Sequence, residues 1–126
     1  MSDEVVVDAS ALGAILFREP EAKEVEKSIA GLRWIVPVLA DYEMSSIYLK
    51  KLRRYPDLKD QLDIGYQIYF DSEIDRVDVP VNRVTPVAVK HEITVYDATY
   101  FWLAEELKID LVTLDRKLNS AWMQRG

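Results

Sequence analysis

Hydrophobic residues in this chain fall into short continuous runs separated by helically spaced stripes. Val5 to Val7, Trp34 to Val36, Val77 to Val79 and Asp110 to Thr113 each read as a strand. All are brief, apolar or β-branched, and bounded by polar residues or proline. Ala11 to Leu16 predicts a short helix broken at Arg18-Glu19-Pro20. Glu21 to Ile29 predicts a second, apolar at Ala22, Val25 and Ile29, with Gly31 just past its end where a left-handed residue is favoured. Pro37 opens a longer helix with Leu39, Ile47 and Leu52 among its apolar positions. Asp57 to Phe70, a short helix from near Pro86 through His91, Asp97 to Leu107, and Arg116 to Trp122 complete the helical segments.

Strands alternating with helices predict an α/β sandwich around a mainly parallel sheet. No repeat, low-complexity tract or linker interrupts the 126 residues, so residues 1–126 read as a single domain. Hydrophobic residues at 49% and charged residues at 30% fit a globular chain, and no apolar run approaches the ~20 residues of a membrane span. The start, Met1-Ser2-Asp3-Glu4, is acidic and lacks the basic n-region of a signal peptide, so the expected location is the cytoplasm. Cysteine is absent, which excludes disulfides, thiolate zinc sites and a cysteine nucleophile.

The topology gives the acidic residues their interest. Ligand sites in open parallel sheets form beyond the carboxyl ends of the strands. Asp8 directly follows Val5-Val6-Val7, and Asp115 follows Leu111 to Leu114 in the same way. Asp8, Asp97 and Asp115 could each cap a helix, and Glu43 sits near a helix start that favours negative charge. Caps can point anywhere, whereas these four acids sit where such a fold gathers chain segments. Crowded carboxylates repel, and a cation is needed to keep them all charged. Without cysteine and with a single histidine, the oxygen donors point to Mg²⁺ or Mn²⁺ rather than zinc. The net charge of −6 disfavours simple phosphate binding, but a bound dication inverts the local charge.

Residues 5 to 12, Val-Val-Val-Asp-Ala-Ser-Ala-Leu, resemble the opening of a PIN domain. Tyr42-Glu43 resembles that family's second acid, on the helix after the second strand. Thr94 to Tyr100 and Leu111 to Leu118, with Asp97 and Asp115, are similar to the pattern of VapC-type toxins. Such proteins often carry asparagine three residues after the second acid, where this chain has Ser46. The resemblance spans essentially the whole chain and implies a three-layer α/β/α fold with Asp8, Glu43, Asp97 and Asp115 as metal ligands and catalytic residues. It further implies an Mg²⁺- or Mn²⁺-dependent endoribonuclease that cuts single-stranded RNA to leave a 5′-phosphate. A toxin of this type has an antitoxin protein as partner. The alternatives are a PIN nuclease of RNA processing and a non-catalytic PIN-like binding module.

Asp8 is the expected central ligand, with Asp97 and Glu43 beside it and Asp115 on a second ion or a water. Ser10 and Thr113 are candidate hydroxyls for orienting carboxylates, or ordinary helix-start and strand-end residues. Lys50, Lys51, Arg53 and Arg54 form the only dense basic cluster, either a solvated helix end or an RNA-backbone contact. Arg116 and Lys117 lie nearer the acids and could touch substrate or offset the carboxylate charge. His91 cannot supply both acid and base of a histidine mechanism and is read as a surface residue. Tyr96, Tyr100, Phe101 and Trp102 surround Asp97; part of this aromatic surface is expected to meet a second copy, giving a homodimer, or an antitoxin.

Overall fold

The structure, a computed structural model, describes residues 3–126; Met1 and Ser2 of the acidic start lie outside the described residues. Strand β1 (Glu4–Val7) buries Val5, Val6 and Val7 completely, as a central parallel strand covered on both faces requires. It is flanked by β2 (Arg33–Pro37) and β4 (Asp110–Val112), and β3 (Asp75–Val77) lies outside β2. The order is β3-β2-β1-β4 and every pairing is parallel, with Val6 opposite Ile35 on one side and Leu111 on the other.

Helices α1 (Ala9–Leu16), α2 (Ala22–Ile29), α3 (Leu39–Arg54) and α4 (Lys59–Asp71) pack among themselves. Helices α5 (Val81–His91), α6 (Val95–Leu107) and α7 (Arg116–Met123) form the other group, with α6 laid against β1, β2 and β4. The result is a three-layer α/β/α architecture. Leu12, Met44, Phe101, Leu103 and Leu118 are fully buried between the layers. Each such side chain stabilises the fold by about 1.5–3 kcal/mol before entropic costs. Among the described residues, no helix is long and apolar enough to cross a membrane.

Several local expectations shift. β3 spans Asp75–Val77, two residues before the predicted Val77 to Val79, because its register is set by β2: Ile35 faces Asp75 and Pro37 faces Val77. The apolar alternation of Val77-Asp78-Val79 mimics a strand that the sheet does not continue. Pro37 ends β2 and does not open α3. Helix α5 begins at Val81 and runs through Pro86, which was expected near its start. Val84 and Ala88, buried four residues apart, carry the helix past the backbone bond that proline removes.

The aromatic residues around α6 also differ from expectation. Phe101 is fully buried, edge-on to Trp122 with ring centroids 5.2 Å apart, because α6 is covered by α5, α7 and the sheet together. His91 is half-buried rather than a surface residue, its ring 4.4 Å from that of Phe101. Leu107, expected on the core stripe, is exposed at the helix end, and Tyr96 is the most exposed of the four aromatics.

Candidate active site

The chain leaves β1 for β2 and β3 on one side, then returns to β4 on the other. At such a switch point the connections diverge and open a crevice beyond the strand ends. Asp8 leaves β1 there, and Thr113 to Asp115 leave β4. The two connections are stitched together. Asp8 N–H donates to the Val112 carbonyl at 3.1 Å, and Leu114 N–H donates to Ser10 Oγ at 3.0 Å.

Asp8 is 4% exposed. Its Oδ1 accepts from Ser10 Oγ at 2.7 Å and from Ala11 N–H at 3.0 Å, and its Oδ2 accepts from Thr113 Oγ1 at 2.5 Å. Asp8 therefore caps α1, and Ser10 and Thr113 fix the plane of its carboxylate. Burial pushes its carboxyl above the usual range against these hydrogen bonds, and repulsion from Asp115 adds to the rise.

Glu43 lies one turn into α3, and its Oε1 accepts from Tyr100 Oη at 2.5 Å. Burial raises its carboxyl, assisted by the charges of Asp8 and Asp97 and opposed by the tyrosine hydrogen bond. Asp97 stands in the first turn of α6, but Thr94 caps that helix, its Oγ1 accepting from Asp97 N–H at 3.0 Å. Burial, then Asp115 and Asp8, raise the Asp97 carboxyl. Asp115 caps α7, its Oδ1 accepting from Leu118 N–H at 2.8 Å. Capping thus accounts for part of the placement of Asp8 and Asp115, and for none of Glu43 or Asp97.

All four carboxylates line one pocket of about 270 Å³, together with Ser10, Ser46, Ile47, Lys50 and Tyr100. Among the described residues, none of the four is ion-paired to a lysine or arginine. A larger groove of about 910 Å³, along Trp102, Ile109 and Trp122, contains none of these acids and mixes apolar residues with charges of both signs. The four candidate residues therefore belong to the smaller pocket. Its donors are oxygens, as Mg²⁺ and Mn²⁺ prefer, and His91 lies elsewhere on Phe101. Among the described residues no three acidic or imidazole side chains already stand in a ligand cage.

Sequence reasoning missed Tyr100 as a polar residue of the site, because a tyrosine on an apolar stripe reads as core. The basic cluster is divided by the fold. Lys50 lines the pocket, whereas Lys51 pairs with Glu19 and Arg54 lies over the Tyr55 ring at 5.4 Å. Arg53 and Arg116 are exposed and do not line the pocket. Lys117 also stands outside its lining, yet its charge partly offsets the rise at Asp97.

Burial of these carboxylates, with their mutual repulsion added, has a measurable consequence. Asp8, Glu43 and Asp97 bind protons more tightly when folded than when unfolded. Their contribution to stability is therefore fully present below about pH 4 and is lost as pH rises through the raised folded values. Replacing half-buried Asp97 by asparagine removes one of the repelling charges. In chelator, thermal melts should show Asp97→Asn roughly 2–4 °C more stable than wild type at neutral pH, a modest gain because solvent screens part of the repulsion. The gap should close toward pH 4. A variant less stable at neutral pH would contradict a raised Asp97 carboxyl.

The PIN domain family model matches residues 5–121. The chain is 29% identical over 119 residues to Ribonuclease VapC3 of Pyrobaculum aerophilum, covering 90% of this chain and 91% of that protein. Its fold is similar to the crystal structure of PAE2754 from Pyrobaculum aerophilum, with a TM-score of 0.67 and 26% identity. That likeness covers 96% of this chain and 87% of the other. With a family match across nearly its whole length and an acidic pocket at the sheet's switch point, this chain belongs to the PIN domain family.

Proposed function

We propose that this protein is a divalent-metal-dependent endoribonuclease that cuts single-stranded RNA, and that it is the toxin of a toxin–antitoxin pair. The observation that carries the reading is the set of four carboxylates around one pocket with no lysine or arginine ion-paired to any of them, among the described residues. The likeness to Ribonuclease VapC3 supports RNA as the substrate. On this reading the enzyme works in the cytoplasm as a homodimer, and an antitoxin protein holds it in check.

Asp8, Glu43 and Asp97 would hold the ion, with Asp115 on a second ion or on water. When bound, Mg²⁺ or Mn²⁺ supplies an activated water and positive charge at the phosphate. The chain's own part is to keep the ligands oriented. Ser10 and Thr113 do this for Asp8, and Tyr100 does it for Glu43 by donating to Oε1.

Tyr100→Phe removes only that hydroxyl from a fully packed ring. It should weaken Mn²⁺ binding about tenfold by calorimetry, the usual scale for a residue that orients a ligand. Affinity equal to wild type would remove Tyr100 from the site.

Activity is tested by incubating labelled single-stranded RNA with the protein in Mg²⁺ or Mn²⁺ and in EDTA. Cleavage confined to the metal-containing reactions, leaving 5′-phosphate ends, is expected. Equal cleavage in EDTA would refute the metal reading. Growth arrest on expression of wild type but not Asp97→Asn is the expected mark of a toxin; cleavage without arrest would favour a role in RNA processing.

A further inference from the structure

We propose that Lys50 receives the substrate's phosphate backbone at the mouth of the carboxylate pocket, an inference that rests on the nuclease reading of that pocket. Glu43, Ser46, Ile47 and Lys50 all line it, and their spacing of three, four and seven residues puts them on one face of α3. The lysine thus stands almost two helical turns beyond a carboxylate of the site.

Lys50 is exposed, and among the described residues its side chain has no hydrogen bond or ion pair. Lys51, turned about 100° around the helix, is held by Glu19. One member of the basic run is therefore anchored to the scaffold, while its neighbour remains free at the pocket. A lysine that merely neutralised the acids would be ion-paired to one of them. Here both kinds of charge are unpaired in the same pocket. Carboxylates to hold a dication and a cation to meet phosphate oxygens are the two things a phosphodiester site needs.

The chain's net charge of −6 repels a polyanion overall, so a free cation at the pocket mouth supplies a local attraction. A lysine ammonium is a point charge suited to backbone contact without base recognition.

The test compares Lys50→Ala and Lys50→Arg with Lys27→Ala, an exposed lysine of α2 outside the pocket. Binding of a fluorescein-labelled single-stranded RNA is measured in the Asp97→Asn background across a series of NaCl concentrations. The kcat/KM for the same RNA is measured with Mn²⁺ in the otherwise wild-type protein. Lys50→Ala should weaken binding about tenfold to a hundredfold, the worth of one charge-assisted hydrogen bond. It should also flatten the slope of log affinity against log salt by about 0.7, with Lys50→Arg restoring much of both. Lys27→Ala should match wild type. If wild type cleaves while Lys50→Ala binds and cleaves like Lys27→Ala, the assignment of Lys50 is overturned and the nuclease reading stands. If wild type neither binds nor cleaves the RNA in Mn²⁺, the nuclease reading falls and the lysine assignment falls with it.

Discussion

Asp8→Asn is expected to lower Mn²⁺-dependent RNA cleavage by about a thousandfold, the scale of losing one preorganised electrostatic group, while the fold persists. Asp8 is the most buried of the four acids and has three donors aimed at it. Asparagine keeps an acceptor for Ser10 Oγ and Ala11 N–H, so the cap on α1 survives. Its amide nitrogen would face Thr113 Oγ1, whose hydroxyl can rotate to accept. The charge that burial disfavours disappears, so the variant should melt no lower than wild type in chelator. Loss of cleavage with an intact melting transition separates a chemical role from a structural one. Full activity would remove Asp8 from the mechanism.

Gly65→Ala is expected to be the most damaging conservative substitution for stability. Gly65 is buried in α4, and a methyl group there would lie 2.2 Å from the Leu16 carbonyl oxygen and 3.0 Å from Phe17 Cδ1. The first contact is with backbone at the end of α1, so no rotamer change relieves it. Alanine's helix propensity returns about 1 kcal/mol, less than the clash costs. A net loss of about 2–4 kcal/mol follows, or roughly 8–16 °C in Tm for a chain of this size. Urea or thermal unfolding measures it directly. Stability equal to wild type would mean that α1 and α4 do not approach so closely.

The parts of the fold legible in the sequence are those set by local chemistry. Val5-Val6-Val7 read as a strand and is one, and the polar Asp8 after it marked the edge where a parallel sheet places its ligands. Gly31 has the left-handed backbone expected of it, with a φ of 77°, but the chain leaves α2 at the extended Ala30, and Gly31 serves the turn in which Leu32 N–H donates to the Ile29 carbonyl at 3.2 Å. Elements set by tertiary pairing were less legible. β3 took its register from β2 rather than from its own apolar alternation, and α5 ran through Pro86 because Val84 and Ala88 needed burial.

The same division holds at the pocket. The four acids could be proposed from their positions after strands and near helix starts. The hydroxyl of Tyr100 finds Glu43 across the fold, and no local pattern announces that contact. Lys50 was visible only as part of a basic run; its seven-residue spacing from Glu43, which puts both on one face of α3, was the signal that could have singled it out.

On the proposed function, Asp8, Glu43, Asp97 and Asp115 form one divalent-metal site. Calorimetric titration of Mn²⁺ into wild type and Asp8→Asn tests it most directly. Wild type should give a saturable heat that Asp8→Asn loses. Negligible heat in both proteins, or identical isotherms, would contradict it.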